Sequence, residues 1–217
     1  VNFVYDTKVT NVVFDITPER KVARRIEWLQ GGERGGRDVT EDDFVLITNG
    51  SPVENTAWGD HHTPAKWIRD IQEGSIWHLW RNIAAQDPAF GRPDKFCAHT
   101  DGSSYESACI RTLDDKIPPS IAKICQRDPF KFDSSPITGG LVTARDSNWL
   151  LSWNVERNPH FRNAPKDQLM IHCYGTYSLD RPGNYVTKAM RECTGEEIAR
   201  EWLYHLGVPE NQINELA

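Results

Sequence analysis

The chain has 217 residues, with 25 Lys and Arg against 31 Asp and Glu, for a formal net charge of −6. That balance leaves no basic excess to neutralise phosphates and excludes a nucleic-acid binder of the usual electrostatic kind. Hydrophobic residues make up 38%, with 8 Trp, 8 Phe and 6 Tyr supplying bulk for a core, and no run approaches the roughly 18 apolar residues of a membrane-spanning helix.

Five cysteines, at 97, 109, 125, 173 and 193, are an odd number with no CxxC pair, and read as free thiols in a reducing compartment. The chain opens Val1-Asn2-Phe3-Val4, already strand-like, without Met or a charged-plus-apolar leader. The expectation is a segment of a longer polypeptide, whose other parts hold some of the chemistry.

Residues 1–50 read as β. Residues 9–14 (VTNVVF) are β-branched and apolar, and a turn at Pro18-Glu19-Arg20 leads to a second strand over 22–29. The glycine cluster at 31–36 is expected to be a hairpin turn. It lies between strand-like runs, so it does not match a phosphate loop, which joins a strand to a helix. Phe44-Val45-Leu46-Ile47 is a continuous apolar run of the kind found in strands buried on both faces. It ends in Thr48-Asn49-Gly50-Ser51, where glycine permits close approach of a ligand and the neighbouring hydroxyls and amides can bond one.

Residues 52–68 read as loop. Ser75 is placed to cap a helix running to about residue 85, with Ile76, Leu79, Trp80 and Ile83 on one face. Pro118-Pro119 opens a short helix carrying Ile121 and Ile124. Residues 141–143 and 149–155 read as a hairpin, and 169–177 as a further strand. Thr194-Gly195-Glu196-Glu197 is a capping box, starting a helix whose apolar face is Ile198, Trp202, Leu203 and Leu206.

Several clusters carry little chemistry by themselves. His61-His62, His78 and His99 lack the spacing or paired Cys of a closed zinc site, so no metal centre is expected. Sequence-adjacent acids point apart on a regular element and read as solvated faces. No GxSxG elbow occurs. The segment Ser152 to Phe161 is more informative. Ser152, Asn154 and Glu156 alternate onto one face, with His160 just beyond. They form either a solvated sheet face or the polar end of a pocket.

At these units the chain resembles the FAD-dependent oleate hydratases, also called myosin-cross-reactive antigens. The resemblance runs through Asp6-Thr7-Lys8-Val9-Thr10, Thr40-Glu41-Asp42-Asp43, Thr48-Asn49-Gly50-Ser51, Ala84-Ala85-Gln86-Asp87-Pro88 and Phe90-Gly91. It continues through Tyr105-Glu106-Ser107-Ala108, Thr138-Gly139-Gly140, Asp146-Ser147-Asn148-Trp149-Leu150-Leu151-Ser152-Trp153 and Asn158-Pro159-His160-Phe161. It closes on Glu192-Cys193-Thr194-Gly195-Glu196-Glu197 and Tyr204-His205.

The resemblance implies an α+β or α/β segment of a two-domain FAD flavoprotein, with an inserted antiparallel β ribbon, a substrate-domain sheet and helical additions. It divides the chain into part of an FAD domain (1–51), a helix- and loop-rich region (52–138), a sheet region (139–190) and a capped C-terminal helix (191–217). It implies Val9, Thr48, Asn49, Gly50 and Ser51 as FAD-facing. It implies Asn154, Glu156 and His160 at the places where the family has a Thr, an Asn and a His for the substrate carboxylate. Only His160 is unchanged, and an ionised Glu156 would repel a carboxylate. The catalytic residues are expected upstream of this segment.

The implied reaction is hydration of the cis double bond of a free unsaturated fatty acid, in a cytoplasmic homodimer that meets its substrate at a membrane surface. The rival readings are a redox flavoenzyme of amine-oxidase or desaturase type and a non-catalytic fatty-acid-binding paralogue.

Overall fold

The computed structural model describes residues 2–72, 74–98, 102, 105–131, 137–138, 140–156, 163, 165–176 and 180–217. The chain forms two units. One comprises residues 1–56 and 68–103, and the other residues 57–67 and 104–217.

The first unit is built on an antiparallel meander of β1 (Thr7–Ile16), β2 (Lys21–Gln30) and β3 (Glu33–Asp38). The expected glycine turn is present only in its first half. Gly31 and Gly32 take φ of +58° and +88° and reverse the chain, which L side chains resist. Gly35 and Gly36 instead lie within β3. A Cβ on Gly35 would fall 2.5 Å from the Trp28 indole nitrogen, and one on Gly36 would fall 2.6 Å from the Arg25 guanidinium. The glycines therefore make room for large cross-strand neighbours, and the ribbon has three strands rather than two.

Helix α1 (Ile76–Ala84) starts where expected, with the Ser75 hydroxyl accepting the His78 N–H at 3.3 Å. Its Leu79 and Ile83 pack on Val12 of β1, with Val45 and Ile47 against the same cluster. Register shifts in β1 between Val9 and Asn11 and between Val13 and Phe14 interrupt its pairing with β2. On β1, Gln86 accepts the Phe14 N–H at 3.0 Å and donates to the Val12 carbonyl at 2.8 Å, while Asn82 donates to the Thr10 carbonyl at 2.9 Å. Side-chain amides thus do what a neighbouring strand would do. A single turn, α2 (Asp94–Cys97), follows.

The run at 44–47 departs from expectation. It forms no ladder among the described residues. Phe44 is 97% exposed and Leu46 95%, while Val45 and Ile47 are partly buried. Val45 and Ile47 pack against the cluster of Val12, Leu79 and Ile83, and among the described residues Phe44 and Leu46 are left uncovered.

The second unit has a four-stranded antiparallel sheet in the order β4-β7-β6-β5, formed by β4 (Glu106–Arg111), β5 (Val142–Thr143), β6 (Leu151–Glu156) and β7 (Met170–Gly175). The predicted hairpin at 141–155 is present as β5 and β6. Helices α3 (Pro118–Cys125), α4 (Gly195–His205) and α5 (Glu210–Leu216) join it. Leu151, Trp153, Val155, Ile171 and Cys173 form one core with Ile121, Trp202, Leu203 and Ile213. Trp153 meets Trp202 edge to face, with centroids 5.8 Å apart. The capping box is realised, with Thr194 and Glu197 each taking the other's backbone N–H. The architecture is α+β, with mixed helices and antiparallel sheets.

Glu201 of α4 is fully buried. Its carboxylate accepts the N–H groups of Asn184, Tyr185 and Val186 at 2.7–2.8 Å, and His205 lies 3.1 Å away. Burial disfavours its charged form, but the hydrogen bonds from His205 and the three backbone N–H groups prevail and hold it below the usual carboxylate range. The 183–186 loop is thereby anchored to α4. Asn184 in turn bonds the 146–148 loop that leads into β6.

Candidate functional site

Alternation on β6 and β7 separates two faces. The apolar residues face the core. On the opposite face, Asn154 lies across from His172, Glu156 from Met170 and Ser152 from Tyr174. On the far side of β7, His172 pairs with Cys109 and Tyr174 with Ser107. This face is half-buried at Asn154, Glu156, His172 and Tyr174.

These side chains form a directed chain of hydrogen bonds. The Tyr174 phenol donates to the Asn154 amide oxygen at 3.2 Å, and the Asn154 amide nitrogen donates to Glu156 at 2.9 Å. The His172 ring stands edge-on to Tyr174, with centroids 4.7 Å apart. Burial, then the negative charge of Glu156, raise the Tyr174 pKa and keep the phenol protonated. At the β5 side, the Thr143 and Ser152 hydroxyls are 2.9 Å apart. The face thus offers donors and acceptors over an otherwise apolar sheet, an arrangement suited to a polar head group.

The structure brings Asn154 and Glu156 into direct contact. His160 lies outside the described residues, as does the neighbouring Arg157. His172 and Tyr174 were missed in the sequence, because the face of β7 is fixed only by its register with β6. The available signal was the period-two alternation of Met170, His172 and Tyr174 against Ile171 and Cys173.

The other implied residues lie in the first unit. Val9 sits on β1 opposite Trp28, beside a register shift, and is 37% exposed. Thr48 is exposed and Asn49 half-buried, and no hydrogen bond engages either side chain among the described residues. Gly50 has φ of +74°, and a Cβ there would lie 2.7 Å from the Trp77 ring and 2.8 Å from that of Trp80. The two indoles are themselves stacked, with centroids 6.0 Å apart. Glycine is required there by its backbone angle and by the indoles. Ser51 caps a short 3₁₀ turn, Pro52–Asn55, by accepting the Val53 N–H. The donor set at 48–51 thus retains two free polar side chains, which fits a polar ligand such as a nucleotide.

The five cysteines are free thiols, and burial pushes Cys193 up to about 12 and Cys173 higher still. Cys173 and Cys193 are therefore poor nucleophiles at neutral pH. Of the candidate histidines, His78 accepts the Gly74 N–H at 3.2 Å, and His99 lies outside the described residues. No described helix is long and apolar enough to cross a membrane.

A family model described as the MCRA family matches residues 1–217. The chain belongs to the MCRA family. It is 40% identical over 218 aligned residues, covering all of this chain and 36% of the relative, to an oleate hydratase of Streptococcus pyogenes serotype M49 (strain NZ131). It is 29% identical over 186 residues, covering 83% of this chain and 32% of the relative, to a linoleate hydratase of Lactiplantibacillus plantarum. The chain therefore spans about a third of the length of these two relatives.

Proposed function

We propose that this chain is part of an FAD-dependent hydratase that adds water across the cis double bond of a free unsaturated fatty acid, and that it supplies walls for both cofactor and substrate. The observation that carries this reading is the 40% identity to an oleate hydratase along the whole chain. The half-buried polar face of the β4-β7-β6-β5 sheet is consistent with it.

Hydration needs a proton delivered to one alkene carbon and a water guided to the other. No group in this chain is assigned to either step. Thr48, Asn49 and the backbone at Gly50 would hold polar parts of FAD, with Val9 and Ser51 beside them. FAD would contribute a charged, shaped wall, since the net reaction transfers no electrons. Asn154, Glu156 and His160 would receive the fatty acid head group, and their grip fixes which carbon reaches the reacting groups. The placement of the negative Glu156 in that set favours a protonated carboxyl, or a head group that donates a hydrogen bond to it.

The test is incubation of the full-length protein with FAD and oleate. The expected product is a hydroxystearate whose new oxygen comes from solvent water. Absence of product with FAD bound contradicts the hydratase reading, and anaerobic bleaching of the flavin by substrate would replace it with a redox one. Membrane contact and a homodimer follow from the same reading. They are checked by vesicle flotation and by sedimentation of the full-length protein.

A further inference from the structure

We infer that His61, His62 and Glu196 form a binding site for a zinc-class divalent cation, which clips residues 57–67 onto the first turn of α4. The ligand atoms of these three side chains all lie within 4.8 Å of one another. The His61-His62 pair and Glu196 are far apart in sequence and meet because the backbone is held. The Asp60 carboxylate accepts the N–H groups of His62 and Thr63, each at 2.8 Å, and the Asp60 N–H donates to the Thr63 carbonyl at 2.9 Å. The same tight loop is then bonded to the helix. Gly195 donates to the Asp60 carbonyl at 2.9 Å, and Glu196 donates to the His61 carbonyl at 3.0 Å.

Gly195 shows how close this docking is. A Cβ there would lie 3.0 Å from both the Asp60 carbonyl oxygen and the His61 Cα. Glycine at that position lets the loop lie against the helix and sets both imidazoles beside Glu196. The rings of His61 and His62 already pack edge to face, with centroids 4.6 Å apart.

Two imidazoles and a carboxylate are ligands that zinc accepts, leaving a fourth position for water. Zinc bonds of about 2.0–2.1 Å place tetrahedral ligand atoms roughly 3.3 Å apart. The set therefore needs to contract by at most about 1.5 Å, which rotation of two exposed imidazoles on a fixed backbone supplies. Imidazole ligands favour zinc, copper or nickel over magnesium or calcium. Glu196 is also ion-paired with Arg200. A carboxylate has two oxygens and can serve both a cation and the guanidinium.

The test uses the full chain, stripped of metal and titrated with Zn²⁺ and Co²⁺. One equivalent of Zn²⁺ binds, and bound Co²⁺ shows ligand-field bands without the charge-transfer band that a cysteine thiolate would give. The melting midpoint rises with Zn²⁺, since the ion binds the folded state. Glu196→Gln weakens binding at least tenfold, the double variant His61→Ala/His62→Ala abolishes it, and His78→Gln leaves it intact. Circular dichroism checks the folding of each variant. If the double variant does not fold, Glu196→Gln decides alone. No uptake by the parent chain, undiminished uptake by the variants, or a thiolate band from Co²⁺ overturns the proposal.

Discussion

The phenol of Tyr174 donates a hydrogen bond to the amide oxygen of Asn154 at 3.2 Å, across the β6–β7 pair. It fixes which end of the Asn154 amide faces Glu156, and so which atoms the face presents to a ligand. Loss of one neutral hydrogen bond costs about 0.5–1.5 kcal/mol. Tyr174→Phe in the full-length protein is therefore expected to raise KM for oleate by about 2- to 10-fold with kcat little changed. An unchanged KM would separate this pair from the substrate.

Glu201 makes stability depend on acid. Its folded pKa is depressed, so its contribution is fully present above the unfolded value of about 4.3 and is lost as pH falls through the folded pKa. Glu201→Gln places an amide among three N–H donors and should cost about 2–4 kcal/mol at neutral pH. Denaturant unfolding at pH 7 and pH 3.5 checks both parts. The variant should lose less stability between those two pH values than the parent.

Gly50→Ala combines a strained backbone with a Cβ 2.7 Å from the Trp77 ring. The left-handed angle costs about 1 kcal/mol, and overpacking about 1–3 more. A destabilisation of about 2–4 kcal/mol, with altered tryptophan fluorescence from Trp77 and Trp80, is the expected outcome. A neutral effect would show that the indoles can move aside.

Thr194→Ala removes one half of the capping box on α4, and should cost about 1 kcal/mol by chemical denaturation. Since Glu197 also pairs with Lys188, that ion pair should survive the change.

Local signals carried much of the fold. Ser75, Pro118 and the Thr194–Glu197 box mark helix starts by side-chain chemistry, and all three appear as read. The alternation of Leu151, Trp153 and Val155 against Ser152, Asn154 and Glu156 correctly divided the faces of β6. What was not legible depends on partners distant in sequence. Gly35 looked like a turn residue because nothing local announces that Trp28 crosses it. Phe44 and Leu46 looked buried because hydrophobicity does not say how many faces are covered. His172 and Tyr174 joined the candidate site only through strand register, and Glu196 came near His61 and His62 only through loop docking.

The most direct measurement is a crystal structure of the full-length protein with FAD and stearate bound. The account predicts Thr48, Asn49 and the Gly50 backbone within hydrogen-bonding distance of the flavin nucleotide, and the stearate carboxyl against Asn154, Glu156 and His160. A flavin bound away from residues 48–51, or a carboxyl held elsewhere, would contradict it.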